Sequence, residues 1–312
     1  MRLPGSVSLA IMGCADDSAV GESGRRLEDG RGFAVQCHPM TQPPPPGTQR
    51  RTALVTGASS GIGEALAAVF AAHGWDLVLT ARRADRLARV ADELRQAGAA
   101  RVEVVPDDLS DAAAPARLVG AIERLGLPID ALVNNAGYGV AGRLMAHPWD
   151  THEAFLRVMV VAVVELTHRL LPGMLERRYG RIVNVASLAG LVPPTAGHTL
   201  YSASKAFMIR FSQSLAAEVA SEGVHVTALC PGFTYSEFHD VSGTRQRVSR
   251  LPRWLWMDAR TVAERGYDAV MAGEVLHVTG RVNRSIAALT KVLPERLVRG
   301  AVRRNASKFR EV

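Results

Sequence analysis

From Arg51 onward, apolar runs of strand length alternate with amphipathic stretches of helix length. The apolar runs are short, rich in Val, Leu and Ile, and seldom interrupted by polar residues, which is typical of strands covered on both faces. We predict strands at Thr52–Thr56, Leu77–Ala81, Val102–Val105, Ala131–Asn134, Arg181–Ala186, His225–Leu229 and Val275–Val278. We predict helices at Gly63–His73, Ala84–Ala97, Asp111–Leu125, His152–Arg177, Ser202–Glu222 and Thr261–Ala272. This repetition predicts an α/β fold with a doubly wound, Rossmann-like parallel sheet of about seven strands.

Both ends of the chain depart from this regular pattern. Residues 1–50 mix Gly, Pro, Asp, Ser and Arg without periodicity, and they include a four-proline run that neither a helix nor a central strand accepts. From Arg281 to Val312, nine Lys or Arg and two Glu carry the whole net charge of +7. We therefore predict a disordered extension over 1–50, a single α/β domain over 51–280 and a basic helical tail over 281–312.

The residue pattern of the tail predicts a helix that begins at Pro294. Apolar residues lie on one side of this helix and arginines lie around them. Such a helix is suited to peripheral contact with an anionic membrane surface, to covering the substrate pocket or to contacting a partner subunit, and the sequence leaves all three open. Because the basic excess lies in a tail, we predict no nucleic-acid partner. The three cysteines are scattered along the chain, so we predict no metal site. Their small number also predicts a reducing, cytoplasmic location, with association at the membrane periphery left open as an addition.

The stretch Thr52–Leu66, "TALVTGASSGIGEAL", fits two templates. Gly57 to Gly61 spell G-x-S-x-G, the nucleophile elbow of an α/β hydrolase, with Ser59 as the nucleophile. With Gly63 they also form a glycine-rich turn between a strand and a helix, which receives a dinucleotide pyrophosphate at the helix N-terminus. A hydrolase elbow normally follows several strands, whereas this turn follows the first. We therefore favour the phosphate interpretation.

The second predicted strand ends in Ala81-Arg82-Arg83, close to the place where the adenosine ribose of a dinucleotide would lie. A site that prefers NAD usually has an acidic residue there, which binds the ribose hydroxyls. Arginine instead binds a phosphate through two parallel hydrogen bonds. We therefore predict NADP(H) in preference to NAD(H), with Arg82 as the contact. The alternative is that these arginines begin a solvated helix.

Five further motifs follow in order along the chain. They are "DDLSD" (Asp107–Asp111), "NNAG" (Asn134–Gly137), "GRIVNVASLAG" (Gly180–Gly190), "YSASK" (Tyr201–Lys205) and "CPGFTYSEF" (Cys230–Phe238). Together with "TGASSGIG", this series resembles the short-chain dehydrogenase/reductase family over about Arg51 to Gly280. The motifs are highly specific in combination, although no single one is. The resemblance implies an oxidoreductase that interconverts a carbonyl and an alcohol, and an assembly into homodimers or homotetramers.

The resemblance implies that Ser187, Tyr201 and Lys205 are catalytic. Tyr201 and Lys205 are four residues apart and share one helical face, where the ammonium is expected to lower the pKa of the phenol. By resemblance, Tyr201 exchanges a proton with the substrate oxygen, Ser187 holds that oxygen, and Lys205 also binds the nicotinamide ribose. Only three residues of this Arg-rich chain are lysines, and Lys205 is one of them.

The resemblance also implies a set of cofactor-binding residues, drawn from the glycine-rich turn and from the segments that follow several strands. These are Gly57, Ser59, Ser60, Gly61, Ile62, Gly63, Arg82, Asp108, Asn134, Ala136, Gly137, Tyr201, Lys205, Pro231, Gly232 and Ser236. Asp108 is expected at the adenine. Asn134 is expected to support the cofactor side of the fourth strand. Ser236 stands where the family usually has a Thr that bonds the carboxamide.

The long connection Thr234–Asp258 is the expected seat of substrate specificity, because long loops in compact domains are often lids. Its residues Trp254 to Met257 are apolar, which predicts a hydrophobic ketone, aldehyde or alcohol as the substrate. An equally good interpretation is that these residues only pack the loop on the domain.

One position departs from the family pattern. The resemblance expects an Asn on the helix after "NNAG", and this chain has Met159 there. A thioether is a poor hydrogen-bond partner and does not hold the expected water, so we expect weakened turnover. The alternative function is a dinucleotide-binding sensor or scaffold that has lost turnover. The alternative role for Met159 is plain packing in the core.

Overall fold

The computed structural model describes residues 50–194, 196–197, 199–237 and 252–293. The predictions for residues 1–49, for the helix from Pro294 and for the central part of the Thr234–Asp258 connection lie outside these ranges. Among the described helices, none has both the length and the apolar character that crossing a membrane requires.

Seven parallel strands form the central sheet. The strands of the described chain are β1 (Thr52–Thr56), β2 (Asp76–Thr80), β3 (Val102–Val104), β4 (Ile129–Asn134), β5 (Gly180–Val185), β6 (Val224–Cys230), β7 (Phe233–Tyr235), β8 (Trp256–Asp258) and β9 (Leu276–Val278). The order in the central sheet is β3-β2-β1-β4-β5-β6-β9, while β7 and β8 pair separately. The predicted doubly wound parallel sheet is confirmed. Strand order reverses between β1 and β4, and open α/β sheets bind their ligands at such a switch point.

Helices cover both faces of this sheet. They are α1 (Gly61–Ala72), α2 (Ala84–Gln96), α3 (Ala114–Arg124), α4 (Trp149–Leu156), α5 (Ala162–Glu176), α6 (Thr199–Glu218), α7 (Ala259–Met271) and α8 (Arg281–Val292). Side chains of α1, α2 and α7 share one buried cluster with the sheet, and side chains of α3, α5 and α6 share another. In β1, Ala53 and Val55 belong to the first cluster and Leu54 belongs to the second. Both faces therefore need apolar residues, which explains the continuous apolar runs.

The helix predicted over His152–Arg177 is interrupted in the structure. It consists of α4, a π-turn over Arg157–Val161 and then α5. A π-turn inserts one extra residue into a helical turn, and such turns occur frequently at functional sites. Met159 lies in the π-turn and is fully buried.

The segment after Gly280 contributes to the domain in a way that the sequence does not reveal. It forms α8, in which Asn283 and Ala287 are buried. The first part of the predicted tail is therefore packed against the α/β domain, next to β9. The small β7–β8 sheet, which lies within the connection predicted as a loop, is a second addition.

Candidate active site

A cleft of about 720 Å³ opens at the carboxyl ends of the strands. Most of the predicted site residues line it, namely Gly57, Ser59, Ser60, Gly61, Ile62, Arg82, Asp108, Ala136, Gly137, Ser187, Tyr201, Lys205, Pro231, Gly232 and Ser236. Gly63 and Asn134 are not on its wall. The fold thus brings residues that follow six strands of the central sheet, β1 to β6, into one cavity.

The glycine-rich turn between β1 and α1 forms one part of the wall. Gly57 and Gly61 have φ angles of 65° and 62°, in the left-handed region that favours glycine. A Cβ on Gly57 would lie 2.8 Å from the Cα of Ala136, so the turn lies directly against the segment after β4. A Cβ on Gly63 would lie 2.3 Å from the Nδ2 of Asn135. Gly63 therefore permits the close packing of α1 beneath the cleft.

Thr56 and Asn135 hold the ends of β1 and β4 side by side. The Thr56 hydroxyl donates to the carbonyl oxygen of Val133 at 3.1 Å and accepts from the N–H groups of Asn135 and Ala136 at 2.9 and 3.0 Å. The Asn135 Nδ2 donates to the carbonyl oxygens of Thr56 and Gly57 at 3.0 and 3.2 Å. Our sequence analysis missed both supporting roles, although both residues lie inside recognised motifs.

Ser59 has surroundings that do not suit a nucleophile. It is buried, and its hydroxyl accepts a hydrogen bond from the Nη2 of Arg83 at 3.0 Å. A nucleophilic serine is activated by a neighbouring base that takes its proton. A guanidinium is permanently charged and takes no proton. The geometry therefore favours the phosphate interpretation of the first motif over the hydrolase interpretation.

Arginines stand at the end of the cleft next to β2. Arg82 and Arg83 both line the cavity, with Arg82 exposed and Arg83 half-buried. Arg83 donates to Ser59 and Ser60 and forms an ion pair with Glu237 at 3.0 Å. The prediction named Arg82 as the phosphate contact, and that role stays a prediction. Arg83, the next residue in the chain, is the arginine that touches the glycine-rich turn.

Asp108 faces the cleft in the turn that follows β3. Its Oδ1 accepts hydrogen bonds from the N–H and the hydroxyl of Ser110 at 3.0 and 2.9 Å. The neighbouring Asp107 forms an ion pair with Arg117 at 2.6 Å. These bonds hold the turn that presents Asp108 to the cavity.

Ser187, Tyr201 and Lys205 meet on the opposite wall. Ser187 follows β5, and a hydrogen bond joins its hydroxyl to that of Tyr201 near the start of α6. The Ser187 hydroxyl also accepts from the N–H of Ala189 at 3.1 Å. Lys205 is buried, its Nζ lies 5.8 Å from the centre of the Tyr201 ring, and it donates to the carbonyl oxygen of Val185 at 2.7 Å.

Burial shifts the two titratable groups of this cluster in opposite directions. It raises the pKa of Tyr201 to about 12, although the bond to Ser187 lowers it. Burial also lowers the pKa of Lys205 to about 8, against the influence of the Cys230 thiol. The expected lowering of the Tyr201 pKa is therefore wrong, because burial disfavours the tyrosinate. At neutral pH the phenol holds its proton and most of the amine is charged.

A chain of buried polar side chains runs beneath the cluster of Ser187, Tyr201 and Lys205. The Asn134 Nδ2 donates to the Oδ1 of Asn184 at 2.8 Å and to the hydroxyl of Thr167 at 3.3 Å. The Asn184 Nδ2 donates to the Ser212 hydroxyl at 2.9 Å, and that hydroxyl donates to the carbonyl oxygen of Met208 at 2.7 Å. Asn134 is therefore placed to support the cleft from behind, and it does not line the cavity.

Met159 packs against the backbone of the "NNAG" motif. A Cβ on Gly137 would lie 2.8 Å from the Met159 sulfur. A thioether offers no proton and accepts hydrogen bonds only weakly. Met159, at the position where the family resemblance expects an Asn, therefore acts as a packing residue in this chain.

Helix α8 closes the side of the cleft near the "CPG" turn. Asn283 and Ile286 line the cavity, and a Cβ on Gly232 would lie 2.4 Å from the Nδ2 of Asn283. That Nδ2 donates to the carbonyl oxygen of Thr279 at 2.8 Å. Our sequence analysis missed this contribution because it assigned the segment to the tail. Gly232 was the one sequence signal for this contact, because a glycine has no side chain and leaves room for Asn283.

Apolar side chains cover much of the remaining wall. They are Leu188, Val192, Phe233, Leu255 and Ile286. Of the apolar residues that predicted a hydrophobic substrate, Leu255 lines the cleft, whereas Trp256 stacks on Tyr235 with ring centres 4.8 Å apart and Trp254 is exposed. Leu255 supports the substrate interpretation, while Met257, which packs against the buried cluster shared by α1, α2 and α7, supports packing of the loop on the domain.

The cleft fits a nicotinamide dinucleotide. The N-terminus of α1 faces it behind two glycines, and Ser60 makes no side-chain capping bond to that helix. Exposed N–H groups and a positive dipole end favour a pyrophosphate there. Arg82 and Arg83 stand at one end of the same cavity, and Tyr201 and Lys205 stand on its wall. The donors suit phosphates, and the size suits a long ligand.

Comparison with known proteins matches this chain to one family of dehydrogenases. The family model described as short chain dehydrogenase matches residues 51–246. Nodulation protein G of Rhizobium sp. (strain N33) is 37% identical over 242 residues, which are 74% of this chain and 96% of that protein.

Two similar solved structures contain a dinucleotide. A short-chain dehydrogenase from Sphingobium yanoikuyae in complex with NADPH has a TM-score of 0.69 and 29% identity, covering 78% of this chain and 96% of that one. A short-chain dehydrogenase/reductase from Burkholderia phymatum in complex with NAD has a TM-score of 0.69 and 29% identity, covering 77% of this chain and 92% of that one. Structural neighbours of this chain thus include complexes with either dinucleotide.

Proposed function

Because this chain belongs to the short-chain dehydrogenase/reductase family, we propose that it interconverts a hydrophobic ketone or aldehyde and its alcohol, with NADP(H) as cofactor and Tyr201 as acid/base. Family and relatives make it a NAD(P)-dependent oxidoreductase that acts on CH–OH and C=O groups. The observation that carries the finer proposal is the cluster of Ser187, Tyr201 and Lys205, which shares one cleft with the glycine-rich turn.

In the direction of reduction, Tyr201 donates its proton to the carbonyl oxygen of the substrate. A phenol whose pKa is about 12 holds that proton at neutral pH and is ready to act as the acid. The Ser187 hydroxyl, which is hydrogen-bonded to the phenol, holds the same oxygen in place. A bound nicotinamide supplies or accepts the hydride.

Lys205 acts through its charge. Its Nζ is buried and is fixed by the carbonyl oxygen of Val185, so the charge stays beside the Tyr201 ring. Once the phenol has given up its proton, this ammonium stabilises the tyrosinate that remains. We also assign to Lys205 the binding of the nicotinamide ribose, because the residue lines the cleft.

The preference for NADP(H) rests on the arginines near the end of β2. Arg82 and Arg83 line the cleft, and Arg86 follows in the first turn of α2. Guanidinium groups bind a phosphate through two parallel hydrogen bonds, whereas the free ribose hydroxyls of NAD(H) are usually bound by a carboxylate that accepts their hydrogen bonds. The apolar wall formed by Leu188, Val192 and its neighbours supports the choice of a hydrophobic substrate.

Replacement of Tyr201 by Phe tests the proposal, because it removes the proton donor and keeps the ring. We expect NADPH oxidation driven by an apolar ketone or aldehyde to fall by about 10²- to 10⁴-fold, with the Kd for NADPH changing by less than about threefold. The matched control is Tyr138→Phe, which changes another tyrosine of the cleft wall and should leave the rate nearly unchanged. Full activity in Tyr201→Phe would contradict the proposal.

The pH profile provides an independent check. The wild-type reduction rate should fall as the pH rises above about 8, because Lys205 then loses its charge. Alcohol oxidation needs the tyrosinate and should rise over the same range. A reduction rate that instead rises above pH 8 would exclude this use of Lys205.

One observation favours a second candidate function, a dinucleotide-binding sensor without turnover. Met159 fills the position where the family resemblance expects an Asn, and it contacts the cleft backbone at Gly137. The intact cluster of Ser187, Tyr201 and Lys205 favours the enzyme. Tight NADPH binding without oxidation of NADPH by any of a panel of apolar ketones and aldehydes would favour the sensor.

A further inference from the structure

A carboxylate from the far side of the cleft is paired with the arginines of the near side. Glu237 follows β7, while Arg83 and Arg86 belong to the start of α2. The Glu237 carboxylate accepts from Arg83 Nη1 at 3.0 Å, and both of its oxygens lie 2.6 Å from Arg86 Nη1. Three charged groups from two distant parts of the sequence therefore meet at the mouth of the cavity.

The position of this cluster within the cleft identifies which end of a dinucleotide it faces. The end of the second strand in this fold lies near the adenosine ribose. Arg83 also donates to the hydroxyls of Ser59 and Ser60, so the cluster is joined to the glycine-rich turn. Ser236 brings the segment after β7 to the same turn, because a Cβ on Gly61 would lie 2.9 Å from the Ser236 Cβ.

Glu237 makes the interactions with these arginines that a phosphate would make. Arg86 and then Arg83 lower the pKa of the Glu237 carboxyl, so it is ionised at neutral pH. The side chains of Arg83 and Arg86 are each 38% exposed and that of Glu237 is 42% exposed, so a ligand can reach all three. An added phosphate would have to displace this carboxylate or share its donors, whereas free ribose hydroxyls would not.

We propose that Glu237 is an internal counter-ion that competes with the 2′-phosphate of NADP(H) for Arg83 and Arg86, and so limits the preference of this chain for NADP(H) over NAD(H). The inference rests on the proposed function, because it assumes a dinucleotide in the cleft. It makes Glu237 a specificity-determining residue located outside the glycine-rich turn and the second strand. Arg83 and Arg86 make the chain favour NADP(H), and the Glu237 carboxylate reduces the ratio by which NADP(H) is favoured over NAD(H).

A different role would have the opposite consequence. If Glu237 were a strut that holds Arg83 and Arg86 in the correct orientation for a phosphate, its loss would weaken phosphate binding. The direction of the change on removing the charge therefore separates the competitor from the strut. Glu237→Gln is the suitable variant because it keeps the shape and hydrogen-bonding capacity of the side chain.

Two small probes isolate the phosphate. Adenosine 2′,5′-bisphosphate and adenosine 5′-monophosphate differ by the 2′-phosphate alone, and their Kd values are measurable by calorimetry without any turnover. In Glu237→Gln, we expect the Kd of the bisphosphate to fall by about three- to tenfold, the size of one partly exposed charge pair. The Kd of the monophosphate should change by less than about twofold, and the ratio of the Kd values for NADPH and NADH should move with the bisphosphate.

Glu64→Gln is the matched control. Glu64 is a nearby carboxylate that lies 3.9 Å from Arg89, and within the described residues it has no hydrogen bond or ion pair with Arg83 or Arg86. It removes the same charge from the same region, so it reports any general electrostatic effect. We expect the bisphosphate to monophosphate ratio in this variant to stay within about twofold of wild type.

The outcomes separate the inference from the proposed function. A wild-type chain that binds neither NADPH nor NADH contradicts the proposed function and the inference together. A wild-type chain that binds dinucleotide, with an unchanged or weakened bisphosphate affinity in Glu237→Gln, contradicts the inference alone. An equal gain in Glu64→Gln also overturns it, because the effect would then not depend on contact with the arginines.

Discussion

Burial shifts the pKa values of the Tyr201 phenol and the neighbouring Lys205 amine at the same time. Burial favours the neutral form of each group, raising the pKa of the phenol and lowering that of the amine. At neutral pH the phenol is therefore protonated, and most of the amine is charged. Under the proposed mechanism, these protonation states suit reduction of a carbonyl, and alcohol oxidation should need a higher pH.

Met159→Asn is a prediction at this scale. Asn restores a hydrogen-bonding group next to Gly137, so we expect kcat to rise by roughly three- to tenfold if proton supply to the cluster limits turnover. A new buried amide without full hydrogen bonding should also lower the free energy of unfolding by about 1–3 kcal/mol. Steady-state kinetics and urea unfolding measure the two effects separately.

Met159→Leu is the control for that substitution. It keeps the volume and the apolar character, so kcat should stay within about twofold and the stability loss should stay below about 1.5 kcal/mol. If Asn and Leu give the same kcat, proton transfer to solvent uses another route and Met159 is only a packing residue.

The site residues that the sequence could predict lie inside short motifs, most of which follow strands and one of which lies at the start of α6. Tyr201 and Lys205 are one helical turn apart, so their proximity follows from local geometry. The pairing of Glu237 with Arg83 joins residues 154 apart in sequence, and no local pattern signals it. The same holds for Asn283, which reaches the cleft only because α8 packs beside the "CPG" turn.

At the scale of elements, a chain of hydrogen bonds through Asn134 and Asn184 links three elements. It joins Asn134 of β4 to Asn184 of β5, and Asn184 to Ser212 of α6. Its members are buried, and Asn184 is fully so. Asn184 precedes Val185, whose carbonyl oxygen holds the Lys205 amine, and it also binds Ser212 on the helix that carries Lys205. Support for the Lys205 amine therefore comes from β5 and α6 together.

Asn184→Ala should accordingly reduce stability and activity together. It leaves the Asn134 amide and the Ser212 hydroxyl without this partner and opens a small cavity, so we expect a loss of about 2–4 kcal/mol in the free energy of unfolding. Ser212→Ala removes one bond of the same chain and should cost about 1 kcal/mol. Urea titration of both variants checks the order, and equal losses would show that the chain is not continuous.

Element boundaries in the sheet were predictable because both of its faces are buried. The predicted and observed ends of β1 agree, and those of β2 and β4 differ by one or two residues. The π-turn in the helix around Met159 was not predicted, because an inserted residue leaves the apolar pattern unbroken. The β7–β8 pairing was missed because it joins two short segments across a long connection.

At the scale of the whole molecule, charge is concentrated at one end of the sequence. Helix α8 leads into this basic end, and its Leu289 and Val292 are 54% and 82% exposed. Exposed apolar residues followed by arginines are typical of helices that lie on anionic membranes. Among the three roles that the sequence leaves open, we therefore take peripheral membrane contact as the one to test first.

The full chain should bind vesicles of phosphatidylglycerol and phosphatidylcholine more strongly than vesicles of phosphatidylcholine alone. Replacing Arg296, Arg299 and Arg303 by Gln should remove most of that difference, since each basic residue near the surface contributes about 1 kcal/mol. The matched variant replaces Arg124, Arg210 and Arg260, which are exposed on the domain. Equal losses in co-sedimentation for the two variants would exclude a specific role for the tail.

The reversal of strand order between β1 and β4 divides the cleft between two portions of the chain. The earlier portion brings the glycine-rich turn and the arginines, and the later portion brings Ser187, Tyr201, Lys205 and Glu237. Recombination between relatives at this boundary would exchange the two portions separately. The Arg83–Glu237 ion pair spans the boundary, so a chimera would inherit the arginine from one parent and the residue at position 237 from the other, and it would receive neither parent's coenzyme preference intact.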